Sequence, residues 1–229
     1  MRLLVLSDVH GNMDALEAIE EDHDTLFFLG DLVDYGPSPR ECIDYVKRKA
    51  TRVVRGNHDN AVATGADCRC GQRYRHLSLA TRQYMHRLLR REDVGYLGAM
   101  PLTLNFELDG IKICMAHASP RDPLYRYITP EITDRELEME LEGVETDLVL
   151  LGHSHLPMCR KIGGKTVVNP GSVGQPRDGI PMASYAVVED GGVELKRAEY
   201  DVGAAIERLF ETYESSLAQE LADILKRGR

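Results

Sequence analysis

Six short apolar segments of this sequence each end in a polar cluster that contains glycine or proline. They are "LLVLSDVHGN", "TLFFLGDLVDYGP", "RVVRGNHDN", "IKICMAHASP", "LVLLGHSHLP" and "KTVVNPGSVGQPRDG". Apolar runs of this length, bounded by glycine and proline, predict buried β-strands. The segment after the first cluster has helical spacing, with an apolar stripe at Met13, Leu16 and Ile19. Strands that alternate with helices predict a mixed, layered α/β fold whose ligands bind at the carboxyl ends of the strands.

Local signals define several element boundaries. Ser38 and Thr133 are each followed three residues later by a glutamate, which predicts a capping box at the start of a helix. Pro39 strengthens the first of these, because proline is favoured at the first helical position. The sequence "SYAVVEDGGVELKRAEY" predicts a hairpin that turns at Gly191–Gly192.

Two longer segments have the apolar spacing of amphipathic helices. One stripe predicts a helix from His76 to Arg91, and the other predicts a helix over about residues 203–226. We expect residues 1–229 to form a single domain, with a helical basic insertion at about 62–95 and this C-terminal helix. The C-terminal stripe is compatible with docking on the sheet or with contact to a second copy in a homo-oligomer.

Composition narrows the class of partner. The net charge of −9 argues against a general binder of nucleic acids or anionic membranes. The five cysteines are odd in number and scattered, and "MRLLVLSD" reaches an aspartate after a few apolar residues, so we expect no secretory leader. These features predict a cytoplasmic protein, and no apolar run approaches the ~18 residues that a membrane-spanning helix requires.

The residues that follow the predicted strands are of the types that commonly ligate metal ions. They are Asp8, His10, Asp31, Asn57, His58, His117, His153 and His155. A single histidine at such a position usually has a structural role, but here five separate clusters combine hard oxygens and borderline nitrogens without a thiolate. This set suits Mn, Fe, Zn or a similar divalent ion better than a structural zinc site built from cysteines.

The motifs "DVHGN", "GDLVDYGP", "GNHD", "AHAS" and "GHSH" occur in this order between Asp8 and His155, and "NPGSVGQPRDG" follows. In this order they resemble the calcineurin-like metallophosphoesterase family. The resemblance implies a four-layer αββα sandwich that holds two divalent ions, with Mn expected and Fe, Zn, Ni, Co or Mg as alternatives. It implies that one ion is bound by Asp8, His10 and His155, that the other is bound by Asn57, His117 and His153, and that Asp31 bridges them.

The same resemblance implies a reaction. A hydroxide held by the two ions would attack phosphorus in line, and the ions would stabilise the charge on the phosphoryl oxygens. His58 would protonate the leaving oxygen as general acid, and Asp34 would orient His58. Asp34 could instead serve only as a turn residue before Tyr35 and Gly36.

Departures from the family's branches bear on the substrate. Protein Ser/Thr phosphatases and symmetrical diadenosine tetraphosphatases tend to carry an arginine where this chain has Tyr35. "GNHD" and "AHAS" also make the chain resemble the small bacterial and archaeal phosphodiesterases more closely. The expected activity is hydrolysis of phosphodiester or phosphoanhydride bonds. The alternatives are a phosphoprotein phosphatase and a non-catalytic binding module like the retromer scaffold subunit.

The segment from Cys68 to Arg91 contains seven arginines and no acidic residue, although the whole chain is acidic. We predict that four arginines near the expected metal ligands bind the extra phosphates of a small nucleotide-type substrate. They are Arg69, Arg73 and Arg75 of this segment, and Arg126, which follows His117 in the sequence. The outer residues, from Arg82 to Arg91, are expected to form a solvated helix face. Cys68, Cys70 and His76 could form a structural zinc site, but their spacing favours a simple pair of loop thiols.

Overall fold

The computed structural model describes residues 1–229 and contains ten strands and eight helices. The strands are β1 (Arg2–Leu6), β2 (Thr25–Phe28), β3 (Arg52–Val53), β4 (Thr103–Leu108), β5 (Ile111–Ala116), β6 (Leu148–Leu150), β7 (Met158–Ile162), β8 (Lys165–Asn169), β9 (Ala183–Glu189) and β10 (Gly192–Ala198). The helices are α1 (Met13–Glu17), α2 (Pro39–Lys49), α3 (Asn57–Thr64), α4 (Gln72–Leu88), α5 (Arg91–Ala99), α6 (Asp134–Glu140), α7 (Val202–Thr212) and α8 (Ser215–Arg227).

The strands form two five-stranded mixed sheets, with the orders β10-β9-β1-β2-β3 and β4-β5-β6-β8-β7. The inner faces of the two sheets share a buried apolar core, to which Phe27 and Leu150 contribute from opposite sheets. Leu16 of α1 and Ile43 of α2 cover the outer face of the first sheet, and Leu137 of α6 covers that of the second. The predicted αββα sandwich is therefore confirmed.

The parallel strand pairs determine where the polar clusters meet. β1 runs parallel to β2 in the first sheet, and β6 runs parallel to β5 and β8 in the second. The carboxyl ends of these strands lie at one edge of the sandwich, so the loops that follow them approach one another.

Three of the predicted local signals can be compared with the structure. The Thr133 capping box is confirmed, because the Thr133 hydroxyl accepts the Glu136 N–H (3.3 Å) and the Glu136 carboxylate accepts the Thr133 N–H (3.0 Å). The hairpin between β9 and β10 is confirmed, but its turn is formed by Asp190 and Gly191, one residue earlier than predicted, because Gly192 already pairs with Glu189. The box at Ser38 is wrong, although α2 does begin at Pro39, because the Ser38 side chain makes no capping bond and its N–H donates to Gly11.

The C-terminal segment, which we predicted to be one helix, forms the two helices α7 and α8. The break lies at Tyr213, whose backbone is extended (φ −112°, ψ 161°) and whose buried hydroxyl donates to the Gly36 carbonyl (2.9 Å). Apolar residues of α7 and α8 then pack against Tyr74 and Leu77 of α4. None of the eight helices combines the length and the apolar character needed to cross a membrane.

Candidate metal centre

The backbone at the strand ends adopts an unusual conformation. Asp8, His10, Asp31, His153 and His155 have φ values between 48° and 65°, in the left-handed region. This conformation costs a residue other than glycine on the order of 1 kcal/mol or more, and it concentrates at functional sites. All five side chains are buried. The strain thus serves to turn these side chains into the space between the loops.

Glycines beside these residues allow the loops to approach closely. A Cβ atom at Gly56 would overlap the Asp31 carboxylate, and one at Gly152 would overlap the Ser7 hydroxyl. The glycines of "GNHD" and "GHSH" are therefore required by the packing of the centre.

One group of donor atoms is formed by Asp8, His10 and His155. The Nδ1–H groups of His10 and His155 donate to the carbonyls of Val33 (2.8 Å) and Gln175 (2.6 Å), which leaves both Nε2 atoms without a proton. These two Nε2 atoms lie 3.2 Å apart, so their lone pairs face each other. Asp8 Oδ1 lies 3.3 Å from His155 Nε2 and accepts no hydrogen bond. A cation between these three atoms would satisfy all of them.

The second group is formed by Asn57, His117 and His153. His117 donates its Nδ1–H to the Leu29 carbonyl (2.8 Å), and its Nε2 lies 2.9 Å from Asn57 Oδ1. The Asn57 amide is oriented by donation of its Nδ2–H to the Cys68 carbonyl (2.8 Å), so its oxygen faces His117. His153 Nε2 is buried and has no hydrogen-bond partner. This group therefore also contains a buried ligand-type atom without a partner.

Asp31 lies between the two groups. Its Oδ2 is 3.7 Å from His10 Nε2 and 3.3 Å from His117 Nε2. Its Oδ1 accepts the backbone N–H of His58 (2.9 Å). The structure thus brings together all seven side chains predicted as ligands, with Asp31 between the two groups.

The pKa shifts separate three neutral imidazoles of the centre from one that holds a proton. Burial lowers the pKa of His10 to about 3 and holds those of His153 and His155 well below their usual range, so these imidazoles are neutral. Burial also opposes a proton on His117, but the Asp31 carboxylate raises the pKa of His117 to about 9. The buried carboxylates therefore draw a proton to the centre, and divalent cations would satisfy the same demand.

Asp59, which the sequence analysis did not identify, holds the backbone beside the donor atoms in place. Its buried carboxylate accepts the backbone N–H groups of Asp31 (2.7 Å), Leu32 (2.8 Å) and Gly56 (3.0 Å). These three bonds fix the loop after β2 against the start of α3. The signal available in the sequence was an acidic residue in the first turn of the helix that begins at "GNHD".

His58 and Asp34 form a buried pair beside the donor atoms. His58 Nδ1–H donates to Asp34 Oδ2 (2.7 Å), and the same oxygen accepts an ion pair from Arg82. Burial disfavours a charged His58, but Asp31 and Asp34 raise its pKa, so its imidazolium form persists to higher pH than that of an ordinary histidine. Burial also disfavours an ionised Asp34, but His58 and Arg82 outweigh it and lower the Asp34 pKa.

The expectation of a solvated face from Arg82 to Arg91 is wrong for Arg82. Its side chain is only 12% exposed, and its Nη2 donates to Asp34 and to the Ser78 hydroxyl (2.8 Å). Arg82 lies one helical turn after Ser78 in α4, and both residues face the loop that carries Asp34. Arg87 and Arg91 are exposed, as expected.

Arg177 lies in the segment "NPGSVGQPRDG" after β8, and the sequence analysis did not identify it as a site residue. Its guanidinium lies 4.1 Å from the centroid of the Tyr74 ring and donates to the Gln175 side chain (3.0 Å). Its Nε is buried without a partner. The backbone carbonyl of the same Gln175 accepts the Nδ1–H of His155 (2.6 Å), and after the larger effect of burial the charge of Arg177 helps to lower the pKa of His155.

The four arginines predicted to bind substrate lie at the surface and do not meet at one point. Arg75 pairs with Asp67 (2.6 Å) and Arg126 pairs with Glu140 (2.9 Å), both at the surface. The exposed Arg69 lies over the Tyr125 ring, with 4.5 Å between the guanidinium carbon and the ring centroid. The exposed Arg73 lies 5.4 Å from the centroid of the Tyr74 ring, which also contacts Arg177.

Comparison with known proteins agrees with this geometry. The model of the calcineurin-like phosphoesterase superfamily domain matches residues 1–190. The chain belongs to this superfamily. A crystal structure of a metallophosphoesterase from Sphaerobacter thermophilus has a TM-score of 0.83 and 32% identity, and it covers 100% of this chain and 99% of its own. The family and fold predicted from the motifs are thus confirmed.

Two curated relatives extend the comparison. An uncharacterized protein of Methanocaldococcus jannaschii is 31% identical over 90% of this chain and 91% of its own length. A symmetrical bis(5'-nucleosyl)-tetraphosphatase of Hamiltonella defensa is 31% identical over 67% of this chain and 57% of its own length. The phosphoesterase family is shown over most of the chain, and a nucleotide-hydrolysing relative shares part of it.

Proposed function

We propose that this protein is a phosphoesterase that holds two divalent metal ions and hydrolyses phosphodiester or phosphoanhydride bonds of a small nucleotide-type substrate. The observation that supports this most directly is the pair of donor groups on either side of Asp31. Each group contains a buried atom without a partner, Asp8 Oδ1 in one and His153 Nε2 in the other. The donors are oxygens and neutral imidazole nitrogens, which fit Mn²⁺ and similar ions.

When bound, the ions would polarise the phosphoryl oxygens and make a water molecule acidic enough to act as nucleophile. Asp8, His10 and His155 would hold one position, and Asn57, His117 and His153 would hold the other. Asp31 would belong to both. The carbonyls of Val33 and Gln175 accept the Nδ1–H groups of His10 and His155, which keeps the Nε2 atom of each available as a ligand.

His58 is suited to protonate the leaving oxygen. Its Nδ1–H is engaged by Asp34, so Nε2 is the atom that can give a proton to the substrate. Asp34 and Arg82 fix the ring and stabilise its charged form. General acid catalysis by a positioned histidine contributes about 10² to 10⁴ in rate.

Arg177 is suited to bind the phosphoryl group. Tyr35 occupies the position where other branches carry an arginine, and its ring packs against His10 and His58, with centroid distances of 4.9 and 5.1 Å. Arg177 brings a guanidinium to the centre from the loop after β8, on the opposite sheet. Guanidinium groups bind phosphate oxygens in bidentate fashion, so Arg177 could supply the contact that Tyr35 cannot.

We expect Arg177→Ala to lower kcat/KM by about 10- to 100-fold, because a hydrogen bond to a charged group contributes about 1.5 to 3 kcal/mol. The loss should be similar for an aryl phosphodiester and a dinucleoside polyphosphate, since both present the reacting phosphoryl group. Arg73→Ala should affect only the polyphosphate, because Arg73 is exposed and lies further out along the Tyr74 ring.

Arg87→Ala is the matched control for this comparison. Arg87 also lies over a tyrosine ring, 4.6 Å from the Tyr84 centroid, but it is exposed and away from the donor atoms. Steady-state kinetics on both substrates measure the effect. An Arg177→Ala variant with the same kcat/KM as Arg87→Ala would show that Arg177 does not contact the phosphoryl group.

The activity itself is tested by reconstituting the protein with Mn²⁺, Co²⁺, Zn²⁺ or Mg²⁺ and screening phosphomonoesters, phosphodiesters, cyclic nucleotides, dinucleoside polyphosphates and phosphopeptides. Hydrolysis of diesters or polyphosphates would support the proposal. Selective hydrolysis of phosphopeptides would favour the phosphatase alternative. Metal binding without hydrolysis of any of these substrates would favour a binding module on the same fold.

A further inference from the structure

Two buried thiols lie next to His58 and have no part in the proposed reaction. A ring nitrogen of His58 and the Sγ atoms of Cys68 and Cys70 all lie within 4.8 Å of one another. His76, the histidine that the sequence suggested as a zinc ligand for these cysteines, instead pairs with Glu220 at the surface (2.8 Å). The chain therefore brings the two cysteines to a different histidine from the one nearest in sequence.

The loop that carries the thiols is held in a strained conformation. Arg69, between the two cysteines, has a φ of 51° and is exposed, while both cysteines are buried. An arginine rarely adopts this conformation, and such outliers mark sites that the surrounding structure determines. The result is that both thiols point inward, toward α3 and α4.

A fourth polar group lies at the same place. The Tyr35 side chain is 2% exposed and its hydroxyl makes no hydrogen bond. The Tyr35 ring lies beside the His58 imidazole, with 5.1 Å between the ring centroids, so Tyr35 adjoins this group. An unpartnered buried hydroxyl is costly, and it would be satisfied by a ligand, or by a water molecule on that ligand, bound between the thiols and His58.

We propose that Cys68, Cys70 and His58 form a third cation site, which is selective for a thiophilic divalent ion such as Zn²⁺ and is separate from the two positions around Asp31. Two thiolates and one imidazole are a common protein ligand set for zinc, with the fourth position open to water. Ligand atoms of tetrahedral zinc are roughly 3.3 to 3.8 Å apart. The three groups, which lie within 4.8 Å of one another, therefore need to close by at most about 1.5 Å.

Occupation of this site would inhibit the enzyme. The Nδ1–H of His58 donates to Asp34, so Nε2 is the nitrogen that would bind the ion, after loss of its proton. This is also the atom that the proposed function uses to protonate the leaving group. The inhibitory consequence therefore rests on the proposed function, whereas the existence of the site does not.

Cobalt spectroscopy tests the site without reference to activity. The seven side chains around Asp31 include no thiolate, so Co²⁺ bound there cannot give a near-ultraviolet band from thiolate-to-cobalt charge transfer. Co²⁺ added under anaerobic, reducing conditions to the wild-type protein should produce this band, which should saturate at about one further ion per chain. Cys70→Ser should abolish the band, and Cys159→Ser, which changes an exposed cysteine in β7, should leave it intact.

Absence of the band from the wild-type protein, or an equal band in Cys70→Ser, would overturn the site. Circular dichroism of both variants excludes loss of folding as a cause. Zn²⁺ added to the Mn²⁺-loaded wild-type protein should then lower turnover by about 10² or more, while Cys70→Ser keeps its turnover. A band with no inhibition would refute the inhibitory role. If neither the wild-type protein nor Cys70→Ser shows turnover, the proposed function is wrong. The thiolate-to-cobalt band then still decides whether the third cation site exists.

Discussion

The His58→Ala variant is expected to keep its metal ions and to hydrolyse an alkyl phosphodiester about 10² to 10⁴ times more slowly than the wild-type protein. His58 is positioned by Asp34 and Arg82, and its imidazole is not among the seven donor side chains around Asp31. Its loss should therefore remove a proton donor and leave the ligands in place. The loss should be smaller for p-nitrophenyl esters, whose leaving group needs no proton.

His76→Ala is the matched control. His76 also pairs with a carboxylate, that of Glu220 (2.8 Å), but at the surface. It should retain full turnover on both kinds of ester. Rate constants for both ester types and metal analysis by mass spectrometry are the measurements. An equal loss for alkyl and p-nitrophenyl esters in His58→Ala would rule out general acid catalysis by this residue.

The Asp31→Asn variant is expected to lose metal and activity to a greater extent than His10→Ala. Asp31 Oδ2 lies within 3.7 Å of donor atoms from both groups, whereas His10 belongs to one. The substitution keeps the shape of the side chain but removes one of the negative charges that balance two divalent ions. Loss of a residue that only supports a metal ligand lowers metal affinity or activity by about 10- to 100-fold. We therefore expect Asp31→Asn, which changes a ligand itself, to lower them by more than about 100-fold.

Asp147→Asn provides a control for the chemical change. Asp147 is an exposed aspartate that also accepts a backbone N–H, that of Lys112 (2.8 Å), so the same substitution there tests only the loss of a carboxylate bond. Metal content per chain and turnover are measured for the three variants. Two retained ions with full turnover in Asp31→Asn would exclude a bridging role for Asp31.

The cluster of donor side chains could be predicted from the sequence because each of its motifs directly follows an apolar strand. A residue such as Asp8 or His153 is placed by its own strand, and parallel strands bring such residues to one edge of the sandwich. The order of the strands was therefore enough to predict that these side chains meet. Their role as ligands stays a prediction until metal binding is measured.

Arg82 and Arg177 could not be found in this way, because their positions depend on packing between distant segments. Arg82 lies in a basic helix that looks solvated in sequence, and only the packing of α4 on the Asp34 loop buries it. Arg177 reaches the centre from the second sheet and is held by Tyr74 of α4. The C-terminal segment was predicted as one helix because its apolar stripe continues through Tyr213, where the backbone becomes extended and α7 ends.

A crystal structure of the Mn²⁺-loaded protein with anomalous diffraction data would show directly whether two metal ions lie on either side of Asp31. We expect two anomalous peaks per chain. One should lie between Asp8 Oδ1 and the Nε2 atoms of His10 and His155, and the other between Asn57, His117 and His153, with the Asp31 carboxylate in contact with both. A single peak, or peaks that Asp31 does not bridge, would contradict it.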